Sequence, residues 1–92
     1  MNITPSTLLK KKSDIRHRTI DNEGIIMCQN SADIIAVNAV GSRILELIDG
    51  HKTIDDCLAI LVNEFDVEPL QLQQDCLDFI LDLMQNDILE LA

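Results

Sequence analysis

The side chains able to act as nucleophiles, bases or soft metal ligands are few and scattered in this 92-residue chain. Three cysteines (Cys28, Cys57 and Cys76) fall inside apolar patterns without metal-ligand spacing, and an odd number fits a disulfide framework poorly. They read as small buried hydrophobes in a reducing compartment. His17 and His51 stand alone, as loop or strand-surface histidines do. None of Ser6, Ser13, Ser31 and Ser42 lies in a nucleophile-elbow context, and the scattered glycines build no phosphate loop. Asp55 and Asp56 read as partners of a helix N-terminus, not as an acid–base dyad. The expectation is a chain that is not an enzyme, with no catalytic residues, no cofactor and no metal ion.

With so little side-chain chemistry, the main chain becomes the reactive surface to consider. Asp33, Ile34, Ile35, Ala36 and Val37 form a short run rich in branched residues, which favours a pleated strand. Asn38 follows as a helix N-cap, its side-chain oxygen able to accept from a first-turn amide. Val40, Ile44, Leu47 and Ile48 recur at helical spacing, and Gly50 stands where a left-handed C-cap is wanted. The chain therefore passes from strand into helix across one polar residue.

The elements around that junction follow from pattern. Residues 17–21 alternate as a first strand, Asp21 to Gly24 make a turn with Gly24 free to take positive φ, and residues 25–29 form a second strand. Residues 30–33 turn again into the run already described, so the three strands make an antiparallel meander. A first helix spans about residues 39–49. Thr53 and Asp56 form an acidic capping box for a second helix striped by Ile54, Leu58, Leu61, Val62 and Phe65. Asp66 and Val67 interrupt it, and Pro69 suits the first turn of a third helix over about residues 69–86. That helix carries Leu72, Cys76, Phe79, Ile80 and Leu83 on one face, and Leu70, Leu77, Leu81 and Met84 beside it. Ile88, Leu89 and Leu91 suggest a short terminal strand. The fold class is α+β, winged helix-turn-helix-like: a three-stranded antiparallel meander followed by three helices.

Composition narrows the function classes. Residues 1–18 hold five cations against one carboxylate, whereas residues 19–92 hold two cations against fifteen carboxylates, a balance near −13. Residues 1–14 read as a flexible basic arm whose Ile3, Leu8 and Leu9 dock on a body spanning 15–92. The acidic body repels nucleic acid and anionic membrane, and the third helix has no Lys or Arg with which to read DNA. No apolar run approaches membrane-spanning length and no secretion leader opens the chain, so cytoplasmic residence is expected. An acyl-carrier-like helical protein shares the size and acidity, but the Asp-Ser-Leu attachment context is missing and three strands argue against it.

The stretches VNAVGSRILELIDGHKTIDDCLAILVNEFDV and DCLDFILDLMQNDIL, in this order of elements, resemble the PqqD family over about residues 15–91. Its members are small peptide chaperones, or recognition elements, of ribosomally made and post-translationally modified peptides (RiPPs). The likeness rests on Asn38 closing a strand, the small Gly41, the helix-ending Ile48, Asp49 and Gly50, Thr53 opening a helix, Phe65 before Val67, Asp75 with Cys76, and the closing Ile88 and Leu89. It implies that a precursor's leader peptide binds as an added antiparallel strand on the third strand, beside the third helix. The peptide is then presented to a modifying enzyme, commonly a radical-SAM protein.

The residues themselves support a compatible mechanism. An uncovered third strand offers unpaired N–H and C=O groups to another strand. Asp33 to Val37 supply those bonds. Leu72, Asp75, Cys76, Phe79 and Asp82 line the opposite wall, with Phe79 as the apolar anchor and Asp75 and Asp82 able to favour a basic guest. A monomer or weak homodimer is expected. The rival reading is a non-catalytic interaction subunit whose broad third-helix face makes a homodimer or a permanent contact with a larger enzyme.

Overall fold

The computed structural model describes Ile3, Thr4, residues 6–21 and residues 23–92. The strands β1 (Leu9–Lys11), β2 (Ile15–Ile20), β3 (Glu23–Cys28) and β4 (Asp33–Val37) are followed by helices α1 (Ala39–Leu47), α2 (Ile54–Glu64) and α3 (Pro69–Gln85), and β5 (Leu89–Leu91) ends the chain. β2, β3 and β4 are the expected antiparallel meander, in that spatial order. Its register aligns Arg16 with Met27 and Ile34, and Arg18 with Ile25 and Ala36. β1 and β5 make a separate two-stranded antiparallel ribbon.

Local chemistry explains most boundaries. Asn38 Oδ1 accepts from the Gly41 amide (2.8 Å) and opens α1. The Thr53 hydroxyl accepts from the Asp56 amide and the Asp56 carboxylate accepts from the Thr53 amide, both at 3.0 Å, closing the capping box of α2. Pro69 occupies the first turn of α3, with the Glu68 carboxylate accepting from the amides of Leu70 and Gln71. Gly50 takes φ +86° two residues past the Ile48 cap, and its amide donates to the Leu9 carbonyl (2.8 Å).

One expectation needs correction. Gly24 is not a turn residue: it lies inside β3, and among the described residues of that turn Asp21 takes the positive φ (+49°). Glycine is needed there because a Cβ would stand 2.6 Å from Ser42 Oγ and 2.7 Å from Val37 Cγ2. Its absence lets α1 close onto the sheet. Leu9, expected to dock on the body, is buried within the β1–β5 ribbon and the core.

One core joins all the layers. Ile26 of the sheet, Ile44 and Leu45 of α1, Leu61 of α2, Ile80 of α3 and Leu89 of β5 are fully buried together. α1 packs on one face of the meander, and α2 and α3 pack against α1 and each other. Ile15, Gly24 and Ile26 are buried on that face, while Arg16, Arg18, Ile34 and Ala36 on the other are exposed. A polar chain pins α1 beneath the sheet: His17 Nε2 and Ser42 Oγ lie 2.9 Å apart, Ser42 Oγ and Thr19 Oγ1 2.8 Å, and Thr19 Oγ1 donates to Glu46 (3.0 Å). Since Thr19 spends its single proton on Glu46, Ser42 donates to Thr19 and the His17 ring N–H donates to Ser42. No helix is long and apolar enough to cross a membrane, among the described residues.

Candidate functional site

β4 pairs only with β3 among the described residues, so its other edge keeps a row of unpartnered main-chain groups. The same short segment is held rigidly, because Asn38 caps α1 immediately after it. Alternation along β4 sets each side chain's place. Ile35 and Val37 pack toward the core, whereas Ile34 (72% exposed) and Ala36 turn to the helix-free face.

Two hollows lie near the two ends of this strand. The first, of about 260 Å³, lies between the start of α1 and the N-terminal half of α3, and is lined by Asn38, Val40, Gly41, Ile44, Val67, Leu72, Asp75, Cys76 and Phe79. It brings together four of the five expected α3 residues. Phe79 is the half-buried wall, and its ring sits so close to Gly41 that a Cβ there would come within 3.1 Å of Cζ. Leu72 and Cys76 are almost fully buried and form the floor. Burial pushes the Cys76 thiol up to about 12, with Cys57 adding to the shift, so it stays a neutral apolar surface. The Asp75 carboxylate stands at the rim, accepting from Gln71 Nε2 (2.9 Å).

The second hollow, about 580 Å³ and more polar, lies at the start of β4. Asp33 and Ile35 line it with Asp14, Cys28, Asn30, Ser31, Asn86, Asp87 and Lys12, whose Nζ lies 3.2 Å from Asp87. Asp82 lines neither hollow; its backbone carbonyl accepts from the Asn86 side chain (2.8 Å) near the end of α3.

Sequence reasoning did not place Asn38, Val40, Gly41, Ile44 and Val67 in the site. Gly41 carried a readable signal, a helix glycine in the first turn where close approach of another element is the usual reason. Asn86 and Asp87 carried none, because only the return of the chain after α3 sets them beside β4. Among the described residues no three His, Cys, Asp or Glu side chains are grouped to hold a metal ion.

The fold and the site define a small α+β domain with an open edge strand and an apolar hollow just past that strand's end. The comparisons place this one more closely. The family described as coenzyme PQQ synthesis protein D (PqqD) matches residues 23–89, and the chain belongs to that family. Among solved structures it is similar to TbiB1 in complex with the TbiA(beta) leader peptide, at 25% identity and TM-score 0.78, with 88% of this chain and 94% of that one covered. It is also similar to a lasso peptide synthetase B1 complexed with its leader peptide, at 16% identity and TM-score 0.77, covering 89% and 96%. A third likeness is to the PqqD truncation of Methylobacterium extorquens PqqCD, whose solution structure represents a stand-alone RiPP recognition element, at 21% identity and TM-score 0.79, covering 97% and 95%. The latter two speak to the fold. The comparison with curated proteins found no match.

Proposed function

We propose that this protein captures the leader segment of a ribosomally made precursor peptide as an added strand on β4 and presents it to a modifying enzyme, without catalysing the modification itself. The observation that carries this reading is the unpaired β4 edge, which leads at Asn38 into an apolar hollow walled by Phe79. Main-chain bonds from Asp33 to Val37 hold the guest, and alternate guest side chains reach toward α3. One apolar guest residue fills the hollow over Leu72, Cys76 and Phe79, while Asp75 at its rim and Asp82 further along α3 favour a guest carrying lysine or arginine. Membership of the PqqD family and the likeness to a B1 protein solved with its leader peptide support the same assignment. The reading sets the protein in the cytoplasm, where ribosomal products meet their modifying enzymes.

The test is titration of isotope-labelled protein with synthetic leaders of the short precursor peptides encoded in the same genome. Amide shifts are expected to concentrate at residues 33–37 and on the 72–79 face of α3. Shifts confined to the β1–β5 ribbon or to α2, or no binding at millimolar leader, overturn the proposal.

A further inference from the structure

The face of the meander opposite the helices has a composition unlike the rest of the molecule. Two neighbouring cross-strand rows run Arg16–Met27–Ile34 and Arg18–Ile25–Ala36, with two arginines along β2, apolar side chains across β3 and β4, and no carboxylate in either row. No described element covers them: Ile34 is 72% exposed and Ile20, just beyond, 46%. The acids of this face, Asp21 and Glu23, sit at the β2–β3 turn. There they border a depression of about 400 Å³ shared with Ile20, Gly24, Ile25 and Ala36.

The cations here are also differently employed. Lys12, Arg43 and Lys52 are in ion pairs with Asp87, Glu64 and Asp49, Lys11 donates to carbonyls at the end of α1, and Lys10, on the separate β1–β5 ribbon, has no side-chain partner among the described residues. Arg16 donates only to the neighbouring carbonyls of Ser13 and Ile15. Arg18 makes neither an ion pair nor a side-chain hydrogen bond among the described residues. In a chain of net charge −9, two arginines left without carboxylate partners beside exposed aliphatic surface are a feature that a partner can complete.

We propose that this helix-free face docks the modifying enzyme, through an apolar patch on that enzyme whose carboxylates meet Arg16 and Arg18. The inference rests on the peptide-capture reading above. A guest strand added to β4 extends the same sheet, so its outward side chains fall next to Ile34 and Ala36 and become continuous with the docking face. The enzyme then reads recogniser and guest as one surface. A nucleic-acid occupant is opposed by the acidity of the whole chain, and a second copy by the repulsion between two bodies of charge −9.

The experiment uses the full chain, a precursor leader that it binds and the enzyme that modifies that precursor, with Arg18→Glu and Arg18→Lys variants. The expected result is that Arg18→Glu binds leader within twofold of wild type but binds the enzyme at least tenfold more weakly, with Arg18→Lys recovering most of the loss. Enzyme affinity should also fall with salt for wild type and much less for Arg18→Glu. Equal enzyme affinity for wild type and Arg18→Glu, with leader binding intact, overturns the docking face and leaves peptide capture standing. A concentration-dependent dimer that Met27→Glu dissolves assigns the face to a second copy and overturns the inference too. Failure of wild type to bind any leader refutes the capture reading and this inference with it.

Discussion

If the guest is held by strand addition, blocking its amides one at a time must produce a loss of affinity with a period of two. A five-residue strand turns the N–H and C=O of alternate residues to each side, so β4 presents the groups of two or three residues, roughly four to six hydrogen bonds, at its open edge. Each is worth about 0.5–1.5 kcal/mol net of water. An apolar guest side chain buried over Phe79 adds about 1.5–3 kcal/mol, and part of the total is offset by ordering the peptide, which leaves a micromolar Kd as the expected scale. Single N-methylation of a leader amide that donates to β4 should therefore raise Kd about twofold to twelvefold. Methylation of the amides between them, which face away, should leave Kd nearly unchanged. The methyl walk is read by isothermal titration calorimetry on unmodified protein, so folding of a variant never enters the result. Losses that do not alternate, or a leader indifferent to methylation at every position, would refute main-chain pairing and leave only side-chain docking.

Three further outcomes follow from particular contacts. Phe79→Ala, which removes the wall of the first hollow while Leu72 and Cys76 keep its floor, should weaken leader binding about tenfold or more by calorimetry, as loss of a central aromatic anchor does. Lys11→Met should lower stability by about 1–2 kcal/mol in urea melts, because the Nζ that donates to the carbonyls of Leu45 (2.7 Å) and Ile48 (3.2 Å) is the cation at the end of a helix with no basic residue in its own last turn. An unchanged midpoint would deny it a capping role. Burial pushes the His17 imidazole below its ordinary value, with Lys11 adding to the shift and Glu46 opposing it. The unfolded chain thus takes up the proton first. The stability that His17 contributes is fully present above pH 6.5, falls as pH drops toward the lower folded value, and levels off below it. Denaturant melts at pH 7.5 and 5.5 should show a larger acid loss for wild type than for His17→Gln, and the reverse order would contradict the assignment.

The helix starts were legible from a few adjacent residues. Asn38, the Thr53–Asp56 pair and Pro69 act over one turn, and each stands in the position its spacing implied. The meander was legible for a related reason, since short connections leave neighbouring strands little choice but to pair. Within the site, alternation along β4 exposed Ile34 and Ala36 on one face and turned Ile35 and Val37 to the other. Helical spacing brought Leu72, Asp75, Cys76 and Phe79 to one hollow. Asp82 shared that spacing but lines no part of the hollow, because the polar strip continues along α3 past the point where α1 faces it.

What the sequence determined by itself is local: where helices begin, which residues share a face, and the sign of the charge on the body. These depend on dihedral preferences and periodicities that act over a few residues. The tertiary structure alone decided why Gly24 must lack a side chain and how Lys11 comes to cap α1 from 34 and 37 residues away. It also made the β1–β5 ribbon from the two ends of the chain. Those outcomes depend on how distant segments close around one core, and no short-range pattern carries that information.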